Sequence, residues 1–256
     1  NNGNLFLMGI GPLLSWNYTS RNVLLSRFKV PMIISFSSGL IYLIFSTLFQ
    51  LYVFVAIMGV SFTLSSILGE FYKSYKKQTR ASNFLDALVR MFLSNRHKNG
   101  GYIVHIGIVL LFIGFIGRAF EVEKEFSLSP GEQIYFANYV FKLNSIKSEA
   151  RDNHYAFLSD IDVVDNNNQL LTNLKPEKRI YFYWNSDPEK RQPHSELDIH
   201  STIQKDIYSI FSAYDAQKNI GYFKIMINPL VNWVWIGGVL MVLGSLFAFW
   251  PSRKRK

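Results

Sequence analysis

One histidine stands out because it lies inside a long apolar stretch. His105 falls within Asn99–Gly117, a stretch that contains no Asp, Glu, Lys or Arg. Lipid offers no partner for the ring nitrogens of an imidazole, so such a residue needs a polar group of another helix, a proton path or a metal ion. A neutral imidazole is also the commonest nitrogen ligand of haem iron. We therefore take His105 as the first candidate for a functional site.

The helical wheel around His105 predicts two different faces. Four residues share the face of His105 within about 40° at 100° per residue, namely Gly101, Val109, Phe112 and Ile116. Gly107 and Gly114 lie on the opposite side and are expected to pack closely on a neighbouring helix. The first face can accept a flat apolar ligand beside the imidazole. The residues leave open the alternative, a histidine that is hydrogen-bonded to another helix and holds no cofactor.

A second polar group alternates along the later part of the chain. We call it the polar row, and its members are His194, Glu196, Asp198 and His200. In a single strand all four would point to one face, where they could in principle bind a metal. We favour a solvated strand face, because no partner cluster is apparent elsewhere, and predict that the polar row is not a metal site. His97 and His154 are predicted to be surface residues.

The apolar segments that must position these residues are long enough to cross a membrane. Val30–Gly69 contains 40 residues without a charge, and as one helix it would measure about 60 Å, roughly twice a hydrocarbon core. Two antiparallel helices joined near Phe49 and Gln50 are therefore predicted. A third span is predicted at Gly100–Gly117 and a fourth at Leu230–Trp250.

The last span carries two further signals. Asn228 is predicted to cap this helix, with Pro229 in its first turn. A stripe of small residues is predicted to contact another helix, and it consists of Gly237, Met241, Gly244 and Ala248.

The distribution of charge predicts the orientation. Of the 27 Lys and Arg, 14 fall in three short segments, namely Arg21–Lys29, Lys73–Lys98 and Arg253–Lys256, and only two acids accompany them, Asp86 within the second segment and Glu70 just before it. The segment Glu121–Lys224 holds 12 basic residues and 16 acids. The positive-inside rule then predicts that the three basic segments are cytoplasmic and that Glu121–Lys224 is periplasmic. The net charge of +9 is thus an orientation signal and not a sign of nucleic-acid binding.

The segment between the third and fourth spans is predicted to form a small antiparallel sandwich or barrel. Turn residues occur at Ser129–Gly131, Asp165–Asn168 and Asn185–Pro188, and runs rich in β-branched and aromatic residues lie between them. These runs include Tyr155–Val164, Arg179–Trp184, Asp206–Tyr214 and Ile220–Ile227. The chain is thus predicted to be an α-helical polytopic membrane protein with a membrane region at 1–120, a periplasmic β domain at 121–227 and a last helix with a basic tail at 228–256.

Two features concern what the chain lacks. It has no cysteine, which excludes disulfides, thiolate metal sites and a cysteine nucleophile within it. It begins at Asn1, and Leu5–Leu14 is too short to span a membrane although it looks like the end of a helix. We therefore expect the chain to be a piece that lacks an N-terminal portion.

Six motifs in order resemble one known family, the cytochrome c-type biogenesis protein CcmF, which is the haem lyase subunit of bacterial cytochrome c maturation. They are LFLMGIGPLLSW (Leu5–Trp16), GGYIVHIGIVLLFIG (Gly100–Gly114), SPGE (Ser129–Glu132), KRIYF (Lys178–Phe182), HSELDIHSTIQKDIYSIF (His194–Phe211) and NPLVNWVWIGGVLMVLG (Asn228–Gly244). Each motif is weak by itself, but their order and the matching topology are specific. The resemblance covers essentially the whole chain as the C-terminal part of that family.

The resemblance implies a function for His105. It implies an inner-membrane protein that attaches haem covalently to apocytochrome c, in which the histidine of the GGYIVHIG segment, here His105, is one of two ligands of a membrane-embedded haem b. It further implies a haem chaperone and apocytochrome-holding subunits as partners, and quinol as an electron source. The second ligand and the haem-presenting segment belong to the N-terminal part of the family. The chain alone is therefore expected to be inactive, and no residue of it is assigned a catalytic role.

Three alternatives stay open at this stage. A permease subunit would show broken helices or inward-facing charges along a path, and a membrane-anchored sensor or scaffold would leave His105 without a role. These residues do not separate the main interpretation from a paralogous haem lyase dedicated to a particular cytochrome, such as a nitrite reductase.

The predicted orientation can be tested by labelling. Because the chain has no cysteine, single Asn167→Cys and Thr79→Cys variants can be treated in intact cells with an impermeant thiol reagent. We expect labelling at position 167 and none at position 79. The reverse result would invert the orientation.

Overall fold

A computed structural model describes residues 21–47, 49–77, 83–181 and 193–250. The chain divides into two compact units, residues 1–119 with 230–256 and residues 120–229. The motif Leu5–Trp16, the tail Arg253–Lys256 and the predicted turn Asn185–Pro188 lie outside the described residues.

The first unit is helical. Its helices are α1 (Arg21–Phe45), α2 (Leu51–Lys76), α3 (Phe84–Ser94), α4 (Arg96–Gly117) and α5 (Val231–Phe249). Four of them, all but the short α3, are long and apolar enough to cross a membrane. The predicted break near Phe49 and Gln50 is confirmed, because α1 ends at Phe45 and α2 begins at Leu51.

The long helices pack mainly in one order, α1 on α2, α2 on α4 and α4 on α5. The Ser35 hydroxyl of α1 donates to the carbonyl of Met58 in α2 at 2.9 Å, so this buried side chain joins two apolar helices by a polar contact. Helix α4 therefore lies between α2 on one side and α5 on the other. This position decides which of its faces are covered.

Glycines bring α4 and α5 into backbone contact. A Cβ atom added at Gly107 would lie 2.6 Å from the carbonyl oxygen of Gly237, and one added at Gly100 would lie 2.6 Å from the Cβ of Ala248. Such close approach is possible only where no side chain stands between the helices. The predicted glycine face of α4 and the small-residue stripe of the last span are thus confirmed, and they pack against each other.

The second unit is an all-β domain. Its strands are β1 (Val122–Leu128), β2 (Gln133–Phe136), β3 (Tyr139–Ala150), β4 (His154–Asp165), β5 (Leu170–Leu174), β6 (Glu177–Tyr181), β7 (Pro193–Glu196), β8 (Asp198–Ser201), β9 (Lys205–Asp215) and β10 (Ile220–Pro229). A four-stranded sheet has the order β1-β10-β9-β8, and a six-stranded sheet has the order β2-β3-β4-β6-β7 with β5 paired to β4. All the pairings are antiparallel.

The core of this domain lies between the two sheets. Phe141, Ile161 and Val163 of the six-stranded sheet are fully buried with Phe211 and Ile225 of the four-stranded sheet. Aromatic and branched residues that alternate along each strand supply this core because successive side chains point to opposite faces. The fold prediction is confirmed, because the described residues form four membrane-length helices with an all-β domain between the last two in sequence.

Two of the predicted turns are confirmed by the backbone. Gly131 has φ 92° and Asn168 has φ 59°, a left-handed conformation that glycine and asparagine adopt more readily than other residues. Within the described residues, the predicted strand Arg179–Trp184 corresponds to β6, which begins two residues earlier, at Glu177.

The prediction for the start of the last helix was wrong. Asn228 and Pro229 end strand β10, and the N-cap of α5 is Leu230, which has φ 64° and makes no side-chain capping hydrogen bond. Asn228 pairs in the ladder with Asp206 of β9, so tertiary pairing overrides its local preference for a cap.

The glycine contact gives a test of the helix packing. Gly107→Val should weaken the pairing of α4 and α5, because overpacking of this kind costs about 1–3 kcal/mol. Thermal unfolding in detergent should show a lower Tm than in the parent. Gly238→Val is the matched control, since a Cβ at Gly238 meets no atom within 4 Å. Equal losses in both variants would contradict the assigned contact.

Candidate functional site

His105 lies in the first half of α4. The helix begins at Arg96, four residues before the predicted Gly100, because the side chain of Asn95 caps it by accepting from the backbone N–H of Lys98 at 3.1 Å. His105 is nine residues into the helix, about 13 Å along its axis. Its side chain is half-buried.

One ring nitrogen of His105 is held by the backbone. Nδ1 lies 2.7 Å from the carbonyl oxygen of Gly101, one turn earlier in the helix. A carbonyl oxygen can only accept, so Nδ1 carries the proton and donates it. Nε2 then bears the lone pair, and it has no hydrogen-bond partner among the described residues. This tautomer leaves Nε2 available to bind a metal.

The face of His105 is only partly open, which corrects the helical-wheel prediction. Val109 is fully buried against Val60 of α2, and Phe112 and Ile116 are partly buried in the same cluster. The predicted ligand face is therefore only partly available, because the residues that follow His105 on it contact α2. The helical wheel could not predict this burial, because it gives the angle of each residue but not the helix that packs against it.

The open part of the face lies around Gly101. A Cβ added at Gly101 would meet no atom within 4 Å, and Phe115 is 58% exposed. On the wheel Gly101, Ile108 and Phe115 point away from both α2 and α5. A flat apolar group bound at Nε2 of His105 could lie along this side, so the residues fit one axial ligand of a haem.

A charged cluster at the same end of the helices was missed by the sequence analysis. Glu70 of α2 is buried, and its two oxygens lie 3.1 Å from Nζ of Lys73 and 3.4 Å from Nζ of Lys98 on α4. Nearby, the ring of Tyr102 is buried and packs edge-on to Phe71 at 5.2 Å. The available signal was Glu70 itself, the acid that directly ends the uncharged stretch Val30–Gly69.

The polar row does not form a single strand, so the prediction that its members share one face was wrong. His194 and Glu196 belong to β7, which pairs with β6, whereas Asp198 and His200 belong to β8, which pairs with β9. The chain passes from one sheet to the other at Leu197. Alternation alone could not reveal this crossing. No group of three or more His, Cys, Asp or Glu that could hold a metal occurs among the described residues.

Glu196 of the polar row forms a salt bridge. Glu196 accepts from Arg179 at 3.1 Å, and Arg179 also binds Glu177 at 2.8 Å. Partial burial acts to raise the pKa of Glu177, but the guanidinium groups of Arg179 and Arg151 outweigh it and hold the pKa below its ordinary value. Glu196 therefore belongs to a cross-strand ionic network.

The two remaining histidines differ from each other. His97 is exposed, as predicted, and its ring lies 6.3 Å from that of Phe249. His154 was predicted to be a surface residue, but it is only 8% exposed because its ring packs against Tyr181 at 4.9 Å. Its Nδ1 lies 2.6 Å from the side-chain oxygen of Asn153.

Known proteins resemble both units. The family model described as CcmF C-terminal beta-sandwich matches residues 119–229. The cytochrome c-type biogenesis protein CcmF of Haemophilus influenzae is 25% identical, and the match covers 97% of this chain and 37% of that protein. The probable cytochrome c-type biogenesis protein NrfE of Escherichia coli is 26% identical over 60% of this chain and 26% of its own length.

A solved structure has the same fold. The structure titled Cytochrome c Heme Lyase CcmF superposes with a TM-score of 0.69 at 21% identity, over 98% of this chain and 38% of that one. This chain thus spans less than two fifths of the length of these CcmF proteins. Residues 119–229 thus match the CcmF C-terminal beta-sandwich, and the chain as a whole is similar to part of the CcmF cytochrome c-type biogenesis proteins.

Proposed function

We propose that this chain is the C-terminal part of a cytochrome c haem lyase and that His105 is an axial ligand of a haem b in the membrane. Two kinds of observation support the proposal. The relatives are named cytochrome c-type biogenesis proteins, and the hydrogen bond of Nδ1 leaves Nε2 of His105 available to a metal. The second observation carries the assignment of the residue, because it depends on this chain alone.

The residues around His105 would each contribute to ligation. The hydrogen bond from Nδ1 to the Gly101 carbonyl orients the ring and leaves the lone pair on Nε2. Gly101 leaves the adjacent side of the helix free of a side chain. The contact of Val109 with Val60 fixes the rotation of α4 one turn further on. When bound, a haem supplies one-electron chemistry at a potential set by its ligands and surroundings.

The chain supplies one ligand and not two. Its five histidines are His97, His105, His154, His194 and His200, and only His105 lies well inside a membrane-length helix. A bis-histidine haem therefore requires a second histidine from outside this chain. By itself, the chain is expected to bind haem weakly and to attach none to a cytochrome.

The proposed setting follows from the charge distribution and the family. The protein lies in the bacterial inner membrane with the β domain in the periplasm and both the Lys73–Lys98 segment and the C-terminal tail in the cytoplasm. Its proposed partners are a haem chaperone, apocytochrome-holding subunits and apocytochrome c, with quinol as the electron donor. The β domain is the part that would meet the periplasmic partners.

A second candidate is a lyase of the same class dedicated to nitrite reductase. The NrfE relatives of Escherichia coli and Haemophilus influenzae are 26% and 25% identical, which is similar to the 25% of the Haemophilus influenzae CcmF, but they match 60% and 61% of this chain and not 97%. The two functions share the haem ligand and differ in the cytochrome served. Deleting the chain and staining membrane and periplasmic fractions for covalent haem would separate them, since a dedicated lyase affects one cytochrome only.

The role of His105 predicts a spectroscopic loss. The protein purified from its native membrane with its associated subunits should show a Soret band. His105→Ala should remove most of that band and abolish cytochrome c assembly, because the iron loses a ligand, while the protein stays in the membrane. External imidazole should restore part of the band by filling the vacant coordination position.

His97→Ala is the matched control for this experiment. His97 is an exposed histidine at the start of the same helix, so its removal should leave the band unchanged. A His105→Ala protein with full haem and an unaltered spectrum would refute the assignment.

For the polar row we predict that mutation has little effect on function. His194→Gln with His200→Gln should leave cytochrome c maturation within a few fold of the parent, because the two residues lie in different sheets and Glu196 is already paired. Maturation is measured by haem staining, and metal content by elemental analysis. Loss of both maturation and a bound metal would show that the row is a metal site.

A further inference from the structure

Glu70 is the only Asp or Glu in the four membrane-length helices. Its side chain is 8% exposed, and each carboxylate oxygen faces a different ammonium, that of Lys73 or that of Lys98. A carboxylate in such a position is costly unless it is paired. Ionisable residues at membrane depth commonly serve a function, which makes Glu70 a candidate beyond its structural contact.

Lys98 connects this carboxylate to the His105 site. The two residues are seven positions apart on α4, which places them within about 20° on the wheel and about 10 Å apart along the axis. Glu70 binds Lys98 across the contact between α2 and α4, on the same side of the helix. The pair therefore lies on the side of α4 that carries His105.

A charge at such a distance affects an iron centre more strongly across apolar helix than across water. At about 10 Å and an effective dielectric constant near 20, one unit charge changes the ferrous-to-ferric ratio about tenfold. A carboxylate favours the ferric form, which carries one more positive charge, and an ammonium favours the ferrous form. Glu70 should have the larger effect, since its side chain is 8% exposed and that of Lys98 is 47% exposed.

We propose that Glu70 and Lys98 form a charge pair that sets the reduction potential of the haem bound by His105. The inference rests on the proposed function, since it requires that haem. Glu70 acts through space and does not touch the iron, so it is a tuning residue and not a ligand. The pair holds the potential between the values that either charge alone would impose.

A purely structural role predicts a different pattern of mutants. Glu70 also joins α2 to α4, and loss of this contact would disturb His105 in the same way whichever partner is removed. Charge tuning instead predicts that removing Glu70 and removing Lys98 shift the midpoint potential in opposite directions. Glu70→Gln should raise the midpoint potential, Lys98→Met should lower it by less, and the double variant should return towards the parent.

The experiment is a potentiometric titration of the haem absorption bands in the protein purified from its native membrane with its associated subunits. In Glu70→Gln the ferrous-to-ferric ratio at a fixed solution potential should increase about tenfold. Lys98→Arg keeps the charge and should leave the ratio unchanged. Asp86→Asn is the control for loss of a carboxylate, because Asp86 pairs with Arg90 on the short helix α3, and it should shift the ratio little.

The outcomes separate this inference from the function on which it rests. If the parent contains no haem, or His105→Ala keeps it, the proposed function fails. If haem depends on His105 but Glu70→Gln and Lys98→Met shift the potential in the same direction, or not at all, the tuning pair is refuted. Should Glu70→Gln fail to accumulate, Lys98→Met compared with Lys98→Arg decides the question alone, because both changes are at a half-exposed position.

Discussion

The backbone contact between α4 and α5 is the constraint on which the arrangement of the candidate site depends. Gly107 and Gly237 leave no room for a side chain between the two helices, so the rotation of α4 about its axis is fixed on that side. With α5 against the glycine face and α2 against Val109, one strip of α4 stays uncovered. His105 borders that strip, and its backbone-bound Nδ1 leaves Nε2 as the nitrogen available to a metal.

The helical part of the fold could be predicted from the sequence because lipid imposes simple rules. A span must be apolar over about 20 residues, and helices can touch closely only through small residues. Those rules predicted the four spans. They also predicted that the glycine face of α4, which contains Gly107, packs on another helix, and in the structure that helix is α5 with its small-residue stripe. They could not predict that Val109 would be buried, since a wheel gives angles and not neighbours. Glu70 was passed over because a residue at the end of a span normally faces water.

The β domain was predictable in class but not in connectivity. Runs rich in β-branched and aromatic residues identified strands such as β4 and β10. The alternation from His194 to His200, in contrast, continues unbroken across the point where the chain changes sheets. A period of two describes each strand and says nothing about which partner it takes. His154 was misjudged for a related reason: its burial depends on the ring of Tyr181, which lies on a neighbouring strand 27 positions away in the sequence.

The pairing of β1 with β10 has a consequence for how the chain assembles. Helices α4 and α5 are separated by more than 110 residues in sequence, and closing a flexible loop of that length costs about 3 kcal/mol more in chain entropy than a short hairpin. Val122 pairs with Ile227, so the folded β domain holds its own two ends side by side. Once it has folded, α4 and α5 are joined in effect by a few residues on each side, and the helix pair behaves as a local contact.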